Sequence, residues 1–185
     1  MDFSFKNVSI SIKLRWEIAR YAVSFFYAWL VSALISDFPL FKKLLIQSIH
    51  LDDAFNSFII SVTEFLLNSF GLPTYTENSF IKIVGTPGVT FSYGCLGFRE
   101  LAFFTIFIAF QFGKAKHKLW YIPSGIALLI LLNIIRILII ILGQYRNPEQ
   151  FQIIHDIVSP VLMYPTILFL WIFWLKTYGK QVYDE

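Results

Sequence analysis

The chain has 185 residues, of which 57% are hydrophobic and only 15% are charged, and its mean hydropathy is +0.65. A water-soluble domain of this size cannot bury that much apolar surface, which includes 21 Phe, 9 Tyr and 5 Trp. The net charge of +3 comes from short basic flanks and not from a long basic run, so composition predicts an integral membrane protein and gives no sign of a nucleic-acid partner.

The first apolar stretch, Trp16 to Ser36, follows three basic residues and has a core too long for an ordinary signal peptide. We predict an uncleaved transmembrane helix that ends at Asp37 and Pro39, with a cleaved signal peptide as the alternative. The next stretch, residues 40–71, mixes charged and apolar residues at amphipathic spacing. It could span the membrane, re-enter it or lie on it.

Within that stretch, Ile59 to Phe70 is too short to span comfortably, and we interpret it as an interfacial or re-entrant helix ending at Gly71-Leu72-Pro73. A β-hairpin is predicted next, within Thr74 to Tyr93. Its two strands flank the turn sequence Gly85-Thr86-Pro87-Gly88, and it leads directly to the single cysteine, Cys95.

Three further spans are predicted, at Leu96 to Phe112, Leu119 to Gly143 and Ile153 to Leu175. Three prolines, at positions 123, 160 and 165, should kink the last two spans without ending them. The predicted fold is therefore an all-α membrane bundle of about four spanning helices, with an amphipathic or re-entrant helix and a short extracytoplasmic β-hairpin. Residues 1–185 form one membrane domain.

Lysine and arginine placement predicts the orientation of this bundle. Eight basic residues flank one side: Lys6, Lys13, Arg15, Lys114, Lys116, Lys118, Lys176 and Lys180. The other side has four: Lys42, Lys43, Lys82 and Arg146. By the positive-inside rule, both termini and the 113–118 loop lie in the cytoplasm, and the hairpin and the 144–152 loop face outward. We expect a multi-pass protein of the cytoplasmic (inner) membrane.

This topology brings three reactive side chains to one side of the membrane. Cys95 lies at the outer end of the second span, and His155 lies in the first outer turn of the fourth. Arg136 precedes Gly143 by seven residues, which places it roughly 10 Å below the outer end of the third span. Its long side chain can reach toward the surface, so the three groups are predicted to converge.

Each of the three residues also has a structural interpretation. A lone Cys is often a small buried hydrophobe, although Cys95 lies among glycines at a helix start, one turn before Arg99, where a thiolate is favoured. His155 could be an interfacial histidine. Its neighbour Asp156 points about 100° away on a helix, so it is not expected to orient the ring.

Arg136 could instead form a structural ion pair with Glu64, Glu100 or Asp156. The amide of Asn133, three residues earlier on the same helix face, could hydrogen-bond the guanidinium.

Together, a thiolate, an imidazole and a guanidinium support nucleophilic acyl transfer. The sequence has no Gly-rich phosphate loop, no His-Glu metal pattern and no Gly-x-Ser-x-Gly elbow. These absences argue against nucleotide hydrolysis, metalloproteolysis and serine hydrolysis, and we expect no cofactor and no metal.

The ordered set Cys95-Leu96-Gly97-Phe98-Arg99, Asn133-Ile134-Ile135-Arg136 and His155 resembles the exosortase and archaeosortase family of membrane proteins. The resemblance implies a cysteine protease or transpeptidase that cleaves a C-terminal sorting signal, made of a short motif, a transmembrane helix and a basic tail. It further implies that Cys95 is the nucleophile, His155 the acid/base, and Arg136 the group that positions substrate or stabilises the oxyanion. Independently of the resemblance, the charge of Arg99 near Cys95 and the spacing of Asn133 from Arg136 predict that these two residues support the site.

Two other functions stay open at the sequence level. In a non-enzymatic scaffold or export partner, Arg136 and the acidic residues would only hold helices together. A small transporter is favoured by buried charge alone, without the paired broken helices of repeat architectures. The sorting motif, the acyl acceptor (water or an amine) and the oligomeric state are not specified by the residues.

Overall fold

The computed structural model describes residues 19–34, 51–91 and 96–179, which are mostly helical. The five α-helices of this part are α1 (Ala19–Leu34), α2 (Leu51–Ser69), α3 (Phe98–Phe110), α4 (Ala115–Arg146) and α5 (Phe151–Trp174). A 3₁₀ turn, Pro148–Gln150, joins α4 to α5, and α5 continues as a π-helical segment, Leu175–Gly179. Three short strands lie between α2 and α3: β1 (Thr74–Glu77), β2 (Phe80–Ile83) and β3 (Val89–Thr90).

Helices α4 and α5 contain the last two predicted spans. The segments Ala115–Arg146 and Phe151–Tyr178 are long and apolar enough to cross a membrane. Pro123 lies inside α4, and Pro160 and Pro165 lie inside α5, so the prediction that these prolines do not end the helices is confirmed.

The other two predicted spans correspond to shorter helices. The described part of the first is α1, Ala19–Leu34, and the flanking residues up to Trp16 and Ser36 lie outside the described residues. Helix α3 has 13 residues, fewer than the predicted 96–112 segment and fewer than the roughly 20 that cross a bilayer. Four spans therefore stay a prediction, and the structure supports two by length and composition.

Helix α2 ends where the sequence predicts. Gly71 has a φ of +76°, and its N–H donates to the carbonyl of Asn68, while the N–H of Leu72 donates to the carbonyl of Leu67. These paired bonds form a Schellman motif, in which glycine takes the left-handed conformation at little cost. Leu72 then packs against the apolar core.

The predicted hairpin is present, and a third strand extends it. Strand β2 pairs antiparallel with β3, with Phe80 opposite Thr90 and Ile81 opposite Val89. Strand β1, which the sequence analysis did not predict, pairs with the other edge of β2 and gives the order β1-β2-β3. Alternate residues Ile81 and Ile83 are buried, so one face of the sheet packs on the protein.

Helix α4 carries both apolar cores. Its C-terminal half packs against α2 and the sheet, where the buried residues are Ile59, Ile60, Leu67, Ile81, Ile83, Val89, Phe91, Ile134, Ile137, Ile140 and Ile141. Its N-terminal half packs against α3 and α5, where they are Phe104, Ile108, Tyr121, Leu129, Met163, Ile167, Leu170 and Trp174. The Gln144 side chain donates to the carbonyl of Gly88 at 3.0 Å and ties the hairpin turn to α4. Helix α4 is therefore the common element against which α2, the sheet, α3 and α5 are positioned.

Gly125 permits the close packing of α3 on α4, and Gly125→Ala should lower the thermal unfolding midpoint in detergent. A methyl group there would overlap the ring of Phe104, which is 0% exposed and has no room to move aside. Overpacking costs up to about 3 kcal/mol, more than the ~1 kcal/mol that alanine gains over glycine in a helix. The midpoint is measured by tryptophan fluorescence.

Ser124→Ala, on the exposed side of the same turn, is the matched control and should leave the midpoint nearly unchanged. Adding Phe104→Leu to Gly125→Ala should restore part of the loss. A midpoint for Gly125→Ala equal to or above that of the parent protein would show that the two helices are not in this contact.

Candidate functional site

Cys95 lies outside the described residues, so its predicted place at the start of the second span stays a prediction. The residues on either side of the 92–95 segment are described. Phe91 and Leu96 are both buried, at 6% and 4% exposure. Phe91 lines a cavity with Arg136 and His155, and the carbonyl of Leu96 accepts a hydrogen bond from Asn133.

Asn133 contacts the backbone directly after Cys95. It is 2% exposed on α4, and its Nδ2 donates to the carbonyl oxygen of Leu96 at 3.2 Å. Gly97, with a φ of +75°, lies beside the same side chain, and a Cβ at this position would be in ordinary van der Waals contact with Asn133 Cγ, 3.5 Å away. Asn133 therefore attaches the beginning of the 96–110 segment to α4.

This contact differs from the hydrogen bond to Arg136 that the sequence allowed for Asn133. The amide nitrogen bonds the carbonyl of Leu96 instead. Within residues 19–34, 51–91 and 96–179, its Oδ1 accepts no hydrogen bond. The i, i+3 spacing places both residues on one helix face without making them partners.

Arg136 is buried at 3% exposure among apolar residues of α4. Helix α4 continues past Gly143 to Arg146, so Arg136 precedes the helix end by ten residues, about 15 Å, and not the predicted 10 Å. Two of the carboxylates considered as its structural partners have other contacts: Glu64 accepts a bond from Thr76 at 3.3 Å, and Asp156 binds His155. A guanidinium is costly to bury at this depth, so the location of Arg136 marks a candidate functional site.

Arg136 and His155 line one small cavity. The remaining lining residues come from the sheet region and from α4: Val89, Phe91, Ile137 and Ile140. Arg136 on α4 and His155 on α5 thus border a common small space with apolar walls. Phe91, where the 92–95 segment begins, is part of that wall.

His155 contacts a carboxylate that the sequence analysis did not expect. Its Nδ1 lies 3.1 Å from Asp156 Oδ1, so the expectation that Asp156 points away from the ring is wrong. The 100° separation of neighbouring helix positions describes the Cβ directions, but the Asp156 carboxylate turns back toward the ring. Gln152, one turn earlier, donates from Nε2 to both carboxylate oxygens, at 3.2 and 3.1 Å. Glutamine four residues before aspartate is a favourable helical pair. This spacing is the signal from which the Gln152–Asp156 contact could have been predicted.

Arg99 is part of a second, larger cavity. This cavity of about 350 Å³ lies between α1, α3 and α5 and is lined by Phe25, Trp29, Ser32, Arg99, Glu100, Phe103, Phe107, Tyr164, Ile167, Leu168 and Trp171. Apolar and aromatic side chains dominate the lining, with Arg99 and Glu100 contributed by the first turn of α3. The sequence analysis predicted Arg99 as a support for Cys95 and did not predict this cavity.

Among the described residues, no group of three or more His, Cys, Asp or Glu side chains is arranged to hold a metal ion.

Comparisons with known proteins identify the family of the chain. The model of the family described as "Transmembrane exosortase" matches residues 16–173. The chain is also 32% identical over 97 residues to a protein named "Probable archaeosortase D" from Methanocaldococcus jannaschii. That match covers 50% of this chain and 59% of the relative, so the chain spans about three-fifths of the relative's length. No solved structure matches the chain.

Asn133→Leu, which replaces the amide by an apolar group of similar size, should lower the thermal unfolding midpoint in detergent. The buried carbonyl of Leu96 would lose its donor, and an unsatisfied buried acceptor costs about 1–3 kcal/mol. Thr105→Val is the matched control, because Thr105 Oγ1 bonds only its own helix, at the Leu101 carbonyl 2.7 Å away. If both variants unfold at the same temperature, Asn133 does not hold the 96–110 segment to α4.

Proposed function

Because the chain belongs to the transmembrane exosortase family, we propose that it is a membrane-embedded cysteine protease or transpeptidase that cleaves the C-terminal sorting signals of exported proteins. The observation that carries this proposal is the cavity shared by Arg136 and His155, which lies against Phe91 at the start of the segment that contains Cys95. Asn133 contacts the other end of that segment at Leu96.

In the proposed reaction, the Cys95 thiolate attacks the carbonyl carbon of the scissile peptide bond and forms a C–S bond. The Arg136 guanidinium stabilises the oxyanion of the resulting tetrahedral intermediate. When the intermediate collapses, the C–N bond breaks, and the His155 imidazolium gives its proton to the leaving amine. The product of this half-reaction is a thioester between the substrate and Cys95.

In the second half-reaction, neutral His155 accepts a proton from the incoming nucleophile as that nucleophile attacks the thioester carbonyl. The C–S bond breaks and the thiolate is regenerated. Water as the nucleophile gives hydrolysis, and an amine gives transpeptidation. The chemistry of the three side chains is the same in both cases.

The apolar walls of the cavity support this assignment on electrostatic grounds. A cation held in apolar surroundings interacts with a developing oxyanion more strongly than it would in water, because the local dielectric constant is lower. Arg136 is 3% exposed, and helix α4, which carries it, is packed along its length by the two apolar cores. A guanidinium fixed in this way needs little reorganisation during the reaction.

The proposed substrates are proteins with a C-terminal motif, a transmembrane helix and a basic tail. Two residues that line the larger cavity, Arg99 and Glu100, come four and five positions after Cys95 in the sequence. The apolar walls of this cavity suit a hydrophobic segment of the substrate within the bilayer. The positive-inside asymmetry orients the enzyme with both termini in the cytoplasm and the cavity of Arg136 and His155 toward the extracytoplasmic face.

Cys95→Ser should abolish processing of a co-expressed substrate that ends in a motif, an apolar helix and a basic tail. A serine hydroxyl stays protonated at neutral pH and is therefore a far weaker nucleophile than a thiolate. Processing is followed as a mobility shift of the tagged substrate, and membrane insertion of the enzyme is checked by alkaline extraction.

Ser92→Ala, three residues earlier in the same segment, is the control and should retain processing. His155→Ala should lower the processing rate by about 10²- to 10⁴-fold, the range for loss of a general acid/base. Full processing by Cys95→Ser would contradict the enzymatic proposal and favour the scaffold, in which substitutions at Cys95 and His155 are silent.

A further inference from the structure

The beginning of α5 carries two polar side chains, Gln152 and Asp156, that the proposed reaction does not use and that are linked to His155. Gln152 donates to both carboxylate oxygens of Asp156, and Asp156 Oδ1 lies 3.1 Å from His155 Nδ1. Glutamine and aspartate at i and i+4 face the same side of the helix, which explains the first contact. The contact between Asp156 and His155 joins adjacent residues, so the Asp156 carboxylate must turn toward the preceding residue.

The contact with Asp156 selects one tautomer of His155. An ionised carboxylate only accepts hydrogen bonds, so the nitrogen that faces it, Nδ1, must carry the proton. In the neutral ring, Nε2 is then the nitrogen with a lone pair. A histidine whose Nε2 is available can accept a proton, whereas the opposite tautomer would present an N–H donor at that position.

Two charged side chains lie near His155. Arg136 on α4 lines the same cavity, and Oδ1 of Asp156 on α5 lies 3.1 Å from Nδ1 of the ring. The sheet region contributes only the apolar side chains of Val89 and Phe91 to that cavity. Among the described residues, Asp156 is therefore the acidic residue placed to stabilise a protonated His155 ring near Arg136.

We propose that Asp156 is a positioning residue that holds His155 in the tautomer and orientation needed for acid/base catalysis, and that Gln152 holds Asp156. This role rests on the proposed function, in which His155 exchanges protons with Cys95 and with the substrate. Asp156 acts through His155 and does not contact the reacting atoms. The arrangement is the general logic of a base oriented by a third group, here built from neighbouring positions of one helix.

The test uses the alkylation rate of Cys95, the only cysteine of the chain, in membrane vesicles at neutral pH. A thiol of ordinary pKa near 8.5 is only a few per cent ionised at that pH, so a paired thiolate should react about tenfold faster or more. We expect His155→Ala to remove this advantage and Asp156→Ala to reduce the rate about threefold, because an exposed carboxylate acts through solvent-screened interactions.

A double-mutant cycle separates positioning from a structural effect. If Asp156 acts through His155, adding Asp156→Ala to His155→Ala should change the rate no further. Glu149→Gln, which removes another exposed carboxylate just before α5, is the control and should leave the rate unchanged. Because the Asp156 side chain is 60% exposed, its substitution should not unfold the protein, and the thermal midpoint of each variant verifies this.

The two proposals fail in different ways. If His155→Ala alkylates as fast as the parent protein, the pairing of Cys95 with His155 is wrong, and the role of Asp156 is wrong with it. If His155→Ala is slow but Asp156→Ala is not, only the positioning proposal is overturned. An equal loss from Asp156→Ala in both backgrounds also overturns it, since the effect would then be independent of His155.

Discussion

Burial of the Arg136 guanidinium inside an apolar helix is the constraint on which the rest of this structure depends. A charge in such surroundings is costly, so it persists only where the surrounding packing and polar groups offset the cost. Helix α2 and the sheet cover the C-terminal half of α4, and α5 closes the other side with His155. The elements that bury the cation are thus the same elements that form the cavity lined by both Arg136 and His155.

Attachment to α4 also gives the site its rigidity. Asn133 bonds the carbonyl of Leu96, and Gln144 bonds the carbonyl of Gly88, so backbone on both sides of the 92–95 segment is tied to one helix. Catalytic groups that must meet within tenths of an ångström are best held by packed helices and by hydrogen bonds to backbone. Two residues of α4 that the sequence singles out therefore differ in what they do: Asn133 bonds the backbone next to Cys95, and Arg136 is a buried cation.

Much of this could be predicted from the sequence because it depends on local patterns. Hydropathy predicts α4 and α5, the glycine at position 71 predicts the end of α2, and the turn at 85–88 predicts the β2–β3 pairing. Strand β1 was missed because four mixed residues carry little pattern without their partner strand. The contacts of Asn133 and Asp156 depend on side-chain orientation, which spacing along a helix does not fix. Arg99 and its cavity depend on how α1 and α5 approach α3, a tertiary contact with no local signal.

In the proposed mechanism Cys95 meets His155 at the Arg136 cavity, and cross-linking of a His155→Cys variant with a short bis-methanethiosulfonate reagent tests this meeting most directly. The introduced thiol can pair within the chain only with Cys95, and linked peptides are identified by mass spectrometry. Val161→Cys, at an exposed position of the same helix, is the control. We expect rapid cross-linking within the His155→Cys chain and little in the control. Equal rates, or no intrachain link in the His155→Cys variant, would contradict it.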